Sequence, residues 1–264
     1  MVTVNKLFLP GIEGRRVVVT AGAAGIGLSI ARLLRAQGAR LAICDIDAEA
    51  LATARADLGA EVAMVADVSD EAQVAAFFAA IGKTMGGLDA LVNNAGIAGP
   101  TGGVEEIAPQ DWRRCIDVCL TGQFLCAHHA VPLLRAAGGG AMVNMSSAAG
   151  RFGYAFRTPY SAAKWGVIGL TQSLAKELGP DDIRVNAILP GIIEGPRMEN
   201  VIAARAAQTG VTHDEMKAQY IARISLRRMT PPEDVADVTT FLLSDAGRNI
   251  SGQSFPVDGN LEAL

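Results

Sequence analysis

The chain has 264 residues, half of them hydrophobic, with 23 Lys and Arg against 27 Asp and Glu and a formal net charge of −4. That length fits one α/β domain with a full core, and the acidic balance without a basic stripe excludes nucleic acid as the main partner. No apolar run approaches the ~20 residues of a membrane span and the first residues lack a signal-peptide pattern, so a soluble cytoplasmic protein without a membrane partner is expected.

Short apolar runs read as strands at 15–20, 40–45, 60–68, 89–96, 140–147, 183–191 and 252–259. They are continuous rather than alternating, as strands buried on both faces must be. Helical periodicity fills 25–37, 70–85, 109–136, 160–178 and 232–244. The alternation predicts an α/β fold with a doubly wound parallel sheet, a single domain over 1–264 with no linker. Two polar helices near 197–208 and 213–224 interrupt it, the second opened by a capping box of Thr212 and Glu215. This helical lobe at 195–230 is expected to be a substrate lid, the alternative being an oligomer contact.

Cys44, Cys115, Cys119 and Cys126 form no CxxC pair. Three of them share a helical stripe with His129, but free cysteines pack as small apolar residues, and no metal is expected.

The stretch "TAGAAGIG" (20–27) is a glycine-rich turn between a strand and a helix, where backbone amides and the positive helix end approach a pyrophosphate. Thr20, Gly22, Gly25, Ile26 and Gly27 are therefore candidate cofactor contacts. Ala21 stands where the first glycine is usual. A left-handed Ala21 would cost about 1–2 kcal/mol, so Gly22 is expected to take the tight turn instead. Asp45 ends the second strand at the spacing of a carboxylate that reads the adenosine ribose diol. A 2′-phosphate would meet its charge, and Ala23, Ala24 and Ile46 supply no arginine, so NAD is expected rather than NADP. The alternative is that Asp45 only caps the next helix.

In "YSAAK" (160–164) Tyr160 and Lys164 stand four apart on one helical face, and Ser147 in "NMSSAAG" precedes Tyr160 by thirteen residues. Together with "ADV" (66–68), "NNAG" (93–96), "RVNAILPG" (184–191) and "PVDG" (256–259), the chain resembles the short-chain dehydrogenase/reductase family over nearly its whole length. The resemblance implies a Rossmann-type fold, commonly a homotetramer, moving hydride between a nicotinamide and a carbonyl or alcohol carbon. It assigns Tyr160 as the proton acceptor, favoured as phenolate by the Lys164 cation although a free phenol has a pKa of ~10. Ser147 would hold the substrate oxygen, and Lys164 the nicotinamide ribose. Asp67 and Val68 would flank the adenine, Asn93, Ala95 and Gly96 the ribose side, and Pro190, Gly191 and Ile192 the nicotinamide. Two positions depart from the family pattern. "VCLTG" puts Cys119 at a fourth catalytic position commonly held by asparagine, whose main-chain carbonyl supports a proton-relay water, so a weakened relay is expected. Gly195 replaces a threonine that contacts the carboxamide.

Arg151, Arg157 and Arg197 fall in segments that wall the substrate pocket and suggest an anchor for an anionic group. The bland alternative is that they are solvated or paired with glutamates. With few aromatics nearby, a small polar hydroxylated acid, such as a sugar acid, is the expected small-molecule substrate, oxidised at a secondary alcohol in a catabolic direction. The alternatives are a 3-oxoacyl-carrier-protein reductase, which would favour NADPH, and a non-catalytic NAD-sensing regulator. Leu261 and Leu264, in the apolar tail, are expected to reach a neighbouring subunit's pocket.

Overall fold

A strand buried on both faces needs apolar side chains along its middle, and Val17, Val18 and Val19 supply them in β1 (Arg16–Thr20). Val17 and Val19 enter one core layer and Val18 the other. In the computed structural model, which describes residues 9–264, the same holds along the sheet. The chain start, read above for a signal peptide, lies largely outside the described residues.

Among those residues, seven strands form one parallel sheet in the order β3-β2-β1-β4-β5-β6-β7. After β1 come β2 (Arg40–Asp45), β3 (Val62–Val65), β4 (Ala90–Asn93), β5 (Gly140–Met145), β6 (Ile183–Pro190) and β7 (Ser254–Val257). The helices are α1 (Gly25–Ala36), α2 (Ala48–Leu58), α3 (Glu71–Met85), α4 (Pro109–Ile116), α5 (Gly122–Ala136), α6 (Thr158–Leu178), α7 (Pro196–Thr209), α8 (His213–Ala222) and α9 (Pro232–Leu243). Ile30, Leu34, Leu51 and Leu242 from α1, α2 and α9 seal one face. Phe77, Ile81, Leu134 and Leu178 from α3, α5 and α6 seal the other. The chain reverses its direction of winding between β1 and β4, and a cleft opens there at the strand C-termini.

All the strands but β2 are shorter than their apolar runs, and for β4 and β3 the cause is visible. Beyond Asn93 the Asn94 and Ala95 amides leave the ladder to bond Thr20 Oγ1, both at 3.0 Å. Beyond Val65 the chain turns where the Asp67 carboxylate accepts Ser69 N–H at 2.9 Å. The helix expected over 109–136 is broken by a π-helical turn at Asp117–Thr121 between α4 and α5. Such single turns recur at functional sites.

The first turn of α2 is capped by Asp47, whose side chain accepts from Glu49 and Ala50. That disposes of the alternative in which Asp45 does so. The capping box of α8 forms as expected: Thr212 Oγ1 accepts Glu215 N–H at 3.2 Å and the Glu215 carboxylate accepts Thr212 N–H at 2.9 Å. The lobe of α7 and α8 builds its own small core with the loop after β5 and the C-terminal tail, through Ile202, Met216 and Tyr220 against Ala148, Tyr154 and Leu261. Leu261 is buried within this chain and Leu264 lines this chain's own cleft. Within this chain the tail contributes to its own pocket, folded back by Arg151, which donates to both Leu261 O and Asp258.

Candidate active site

The tight turn after β1 is made by Ala21, with φ of +49°, and not by Gly22, whose backbone is ordinary. Gly22 is needed for room: a Cβ there would stand 2.9 Å from Ile43 Cγ2. Asn94 Nδ2 donates to Thr20 O at 3.0 Å and Ala21 O at 3.1 Å, which holds the left-handed alanine in place. A Cβ on Gly27 would lie 2.1 Å from Ala21 O, so loop and helix approach closely only through glycine. Ala21, Ala24, Gly25 and Ile26 line the cleft, and Asp45 lies among its lining residues, its carboxylate accepting Ala23 N–H at 3.2 Å.

The cleft measures about 690 Å³. Unlike α2, α3 and α8, capped by Asp47, Asp70 and Thr212, α1 has no side-chain cap and no acidic residue in its first turn. Its free amides fit a pyrophosphate, which the dipole also favours.

Other expected cofactor residues separate. Gly96, Pro190, Gly191 and Ile192 line the cleft. Thr20 and Ala95 lie beneath the loop and brace it through the Thr20 hydroxyl. Asn93 is turned into the core, because adjacent strand residues face opposite ways. Its Nδ2 donates to Gln123 O at 3.1 Å and Asn144 Oδ1 at 3.0 Å. Asn94, not singled out from the sequence, is the cleft-lining residue of that pair. Asp67 is engaged by Arg114 at 2.8 Å and by Ser69, and Val68 packs behind Gly122. Neither is among the cleft-lining residues.

Ser147, Tyr160 and Lys164 all line one stretch of the cleft. Ser147 lies two residues beyond β5 and caps a short turn at Ala148–Gly150, its Oγ accepting Ala149 N–H at 3.2 Å. Its own O–H keeps no protein acceptor among the described residues. Lys164 is buried, donates to Met145 O at 2.7 Å, and stands 5.7 Å from the centre of the Tyr160 ring. Gly150 permits this packing: a Cβ there would meet Ser146 Oγ at 2.4 Å and Lys164 O at 2.7 Å.

Cys119 sits in the π turn, its sulfur 3.4 Å from both Ile97 N and Ile97 O and facing Cys115. The thiol hydrogen bond from Cys115 holds Cys119 below the usual thiol range against the burial that opposes it, with the Lys164 cation adding to the effect. Cys115 is correspondingly raised. The Cys119 carbonyl accepts Gln123 Nε2 at 3.2 Å. Cys126 packs in the main core, and His129 stacks on Phe78.

The three arginines part company. Arg151 pairs with Asp258 at 3.2 Å and lies over the Phe152 ring, outside the cleft lining. It latches the tail and is not available as an anchor. Arg157 and Arg197 do line the cleft and converge on one loop. Arg157 donates to Ala98 O at 2.5 Å, and Arg197 to Gly96 O at 3.0 Å. The Arg157 guanidinium lies 4.9 Å from the centre of the Tyr160 ring, and its Nε is buried without a partner. No carboxylate reaches ion-pair distance of either arginine among the described residues. Phe156, at φ of +65°, turns the chain just before Arg157, a strained conformation of the kind that gathers at functional sites. Tyr154, legible in the sequence only as one of the few aromatics of this wall with Phe152 and Phe156, and Tyr220, which carried no signal there, also line the pocket.

A Rossmann-type sheet with an uncapped helix end over the cleft, and a serine, tyrosine and lysine at its far wall, defines a nicotinamide-dependent alcohol dehydrogenase or ketoreductase. A family model described as enoyl-(acyl carrier protein) reductase matches residues 21–261. The chain is 40% identical over 253 residues to cis-4-hydroxycyclohexanecarboxylate dehydrogenase of Sinomonas cyclohexanicum, covering 95% of this chain and 97% of that one. Among solved structures, an NAD+-bound xylitol dehydrogenase superposes with a TM-score of 0.90 at 29% identity, over 94% of this chain and 99% of that one. An actinorhodin polyketide ketoreductase with NADPH also gives 0.90, at 31% identity over 97% and 100%. The protein belongs to the short-chain dehydrogenase/reductase family. Among the described residues no helix is long and apolar enough to cross a membrane.

Proposed function

We propose that the protein oxidises a secondary alcohol on a small hydroxy acid, with NAD as hydride acceptor. The observation that carries this reading is the pair of unpaired guanidinium groups, Arg157 and Arg197, on the 96–98 loop beside Tyr160. Arg157 is buried without a carboxylate and calls for an anion, Arg197 is exposed at the mouth beside it, and guanidinium suits a carboxylate. Ile192, Met198, Val201 and Leu264 give the pocket an apolar wall, beside polar lining residues such as Glu194, Tyr154 and Tyr220, and that wall favours a compact ring over the polyhydroxylated body of a sugar acid. The similarity to an enzyme of a hydroxycyclohexanecarboxylate supports the same choice. Asp45 beside the glycine-rich loop supports NAD, since a 2′-phosphate would face its charge.

The cofactor, when bound along residues 21–26 and 190–192, supplies the hydride acceptor. Ser147 donates its free O–H to the substrate oxygen and holds it near Tyr160. Tyr160, acting as phenolate, takes the alcohol proton as the carbonyl forms and the hydride leaves for the acceptor, and the Lys164 and Arg157 cations beside its ring balance the negative charge that its oxygen carries before the transfer. Lys164, fixed by Met145 O, keeps N–H groups for the ribose. The homotetramer that the family resemblance implies would cover the exposed Phe124 and Trp165 on α5 and α6.

The test compares kcat/KM for cis-4-hydroxycyclohexanecarboxylate and for neutral 4-methylcyclohexanol. Arg157→Gln and Arg197→Gln should each lower the acid-to-neutral ratio by about ten-fold or more, the scale of one charge-assisted hydrogen bond. A ratio that stays at the wild-type value in both variants contradicts the reading.

A further inference from the structure

Two phenols that hydrogen-bond to one another leave one proton over. Tyr154, in the loop before α6, and Tyr220, near the end of α8, meet hydroxyl to hydroxyl at 2.6 Å, and both line the cleft. They are 9% and 2% exposed. Burial pushes the Tyr154 phenol up, with the neighbouring Tyr220 adding to it, so Tyr154 stays protonated. Each hydroxyl has one proton to donate, and the mutual bond consumes only one of the two. No other acceptor meets either hydroxyl among the described residues.

The surroundings say what kind of acceptor is missing. The Arg157 guanidinium lies 5.1 Å and that of Arg205 5.7 Å from the centre of the Tyr154 ring. Arg205 also donates to Ala155 O, which fixes this loop against α7. A buried donor among cations is best satisfied by negatively charged oxygen.

We propose that the Tyr154–Tyr220 pair is a substrate-binding subsite whose spare O–H donates to the carboxylate held by Arg157. The proposal rests on the hydroxy-acid reading above and adds two specificity-determining residues, one of them on the lid. Lid and catalytic loop would then meet on the substrate itself, so that an acid closes the pocket and a neutral alcohol does not.

The counting makes an unusual mutational pattern. Either Tyr154→Phe or Tyr220→Phe leaves one phenol whose proton is free to donate, whereas the double variant leaves none. The acid-to-neutral ratio of kcat/KM, on the same substrate pair, should therefore fall about ten-fold in the double variant. At least one single variant should hold it within about three-fold. Thermal unfolding should run the other way: a single variant strands a buried hydroxyl, while the double variant replaces both partners and recovers stability. A double variant that keeps the wild-type ratio overturns the proposal and assigns the spare proton to a bridging water only. A double variant that loses acid and neutral turnover equally also overturns it. If the wild type oxidises no hydroxy acid at all, the proposed function falls and the subsite with it, an outcome visible before any variant is made.

Discussion

At the residue scale the site rests on a few conformations that residue type does not announce. Ala21 adopts a left-handed turn at a position that glycine would hold without strain. Gly22 beside it serves instead to leave room for Ile43, which a side chain there would meet. Ala21→Gly should therefore stabilise the fold by roughly 0.5–1 kcal/mol, the strain released less the extra chain entropy of glycine. Chemical denaturation measures this directly, and a loss of stability would show that Ala21 is not strained. The adjacent asparagines teach a similar lesson. The motif "NNAG" marks both, but only the pleat tells that Asn93 faces the core and Asn94 the cleft. Likewise Arg151, Arg157 and Arg197 look alike in the sequence. Arg151 is distinguished by Asp258, a residue 107 positions away.

At the element scale, propensity and capping were readable where the signal was local. The capping box of α8 and the continuous apolar strands follow from neighbours within a few residues. The π turn at Asp117–Thr121 does not, since a repeat of four or five residues satisfies the same apolar stripe. The starts of β1 and β4 are joined by Asp89, which accepts from Arg16 N and Nε, both at 2.8 Å, and from a terminal nitrogen at 2.6 Å. Burial alone would raise the Asp89 carboxyl, but these bonds outweigh it and hold the group below its ordinary value. A carboxylate depressed in the folded state stabilises fully above the unfolded pKa of ~3.9, and that contribution is lost as the pH falls through the folded value. Asp89→Asn should cost about 1–2 kcal/mol near neutral pH, a range discounted for partial exposure. It should also flatten the loss of stability below about pH 4. Urea unfolding midpoints across that range check both parts, and parallel profiles for variant and wild type would contradict the assignment.

At the scale of the whole molecule, the Rossmann-type sheet was legible because two-sided burial writes itself into every strand. The catalytic wall was legible because Ser147, Tyr160 and Lys164 lie within eighteen positions of one another. The closure of the pocket was not. It gathers Tyr154, Tyr220 and Leu264 from the catalytic loop, the lid and the tail, whose meeting depends on how α7 and α8 fold back. The tail lines the cavity beneath this chain's own lid through Leu264. These parts together frame a cleft with a nucleotide-binding loop at one end and two unpaired arginines at the other.

Initial NADH or NADPH formation by the purified protein, measured with NAD and then NADP on cis-4-hydroxycyclohexanecarboxylate and on 4-methylcyclohexanol, tests that account most directly. Turnover that requires NAD and strongly favours the acid is the predicted result. Preference for NADP, or equal rates on acid and neutral alcohol, would contradict the roles given to Asp45 and to the arginine pair.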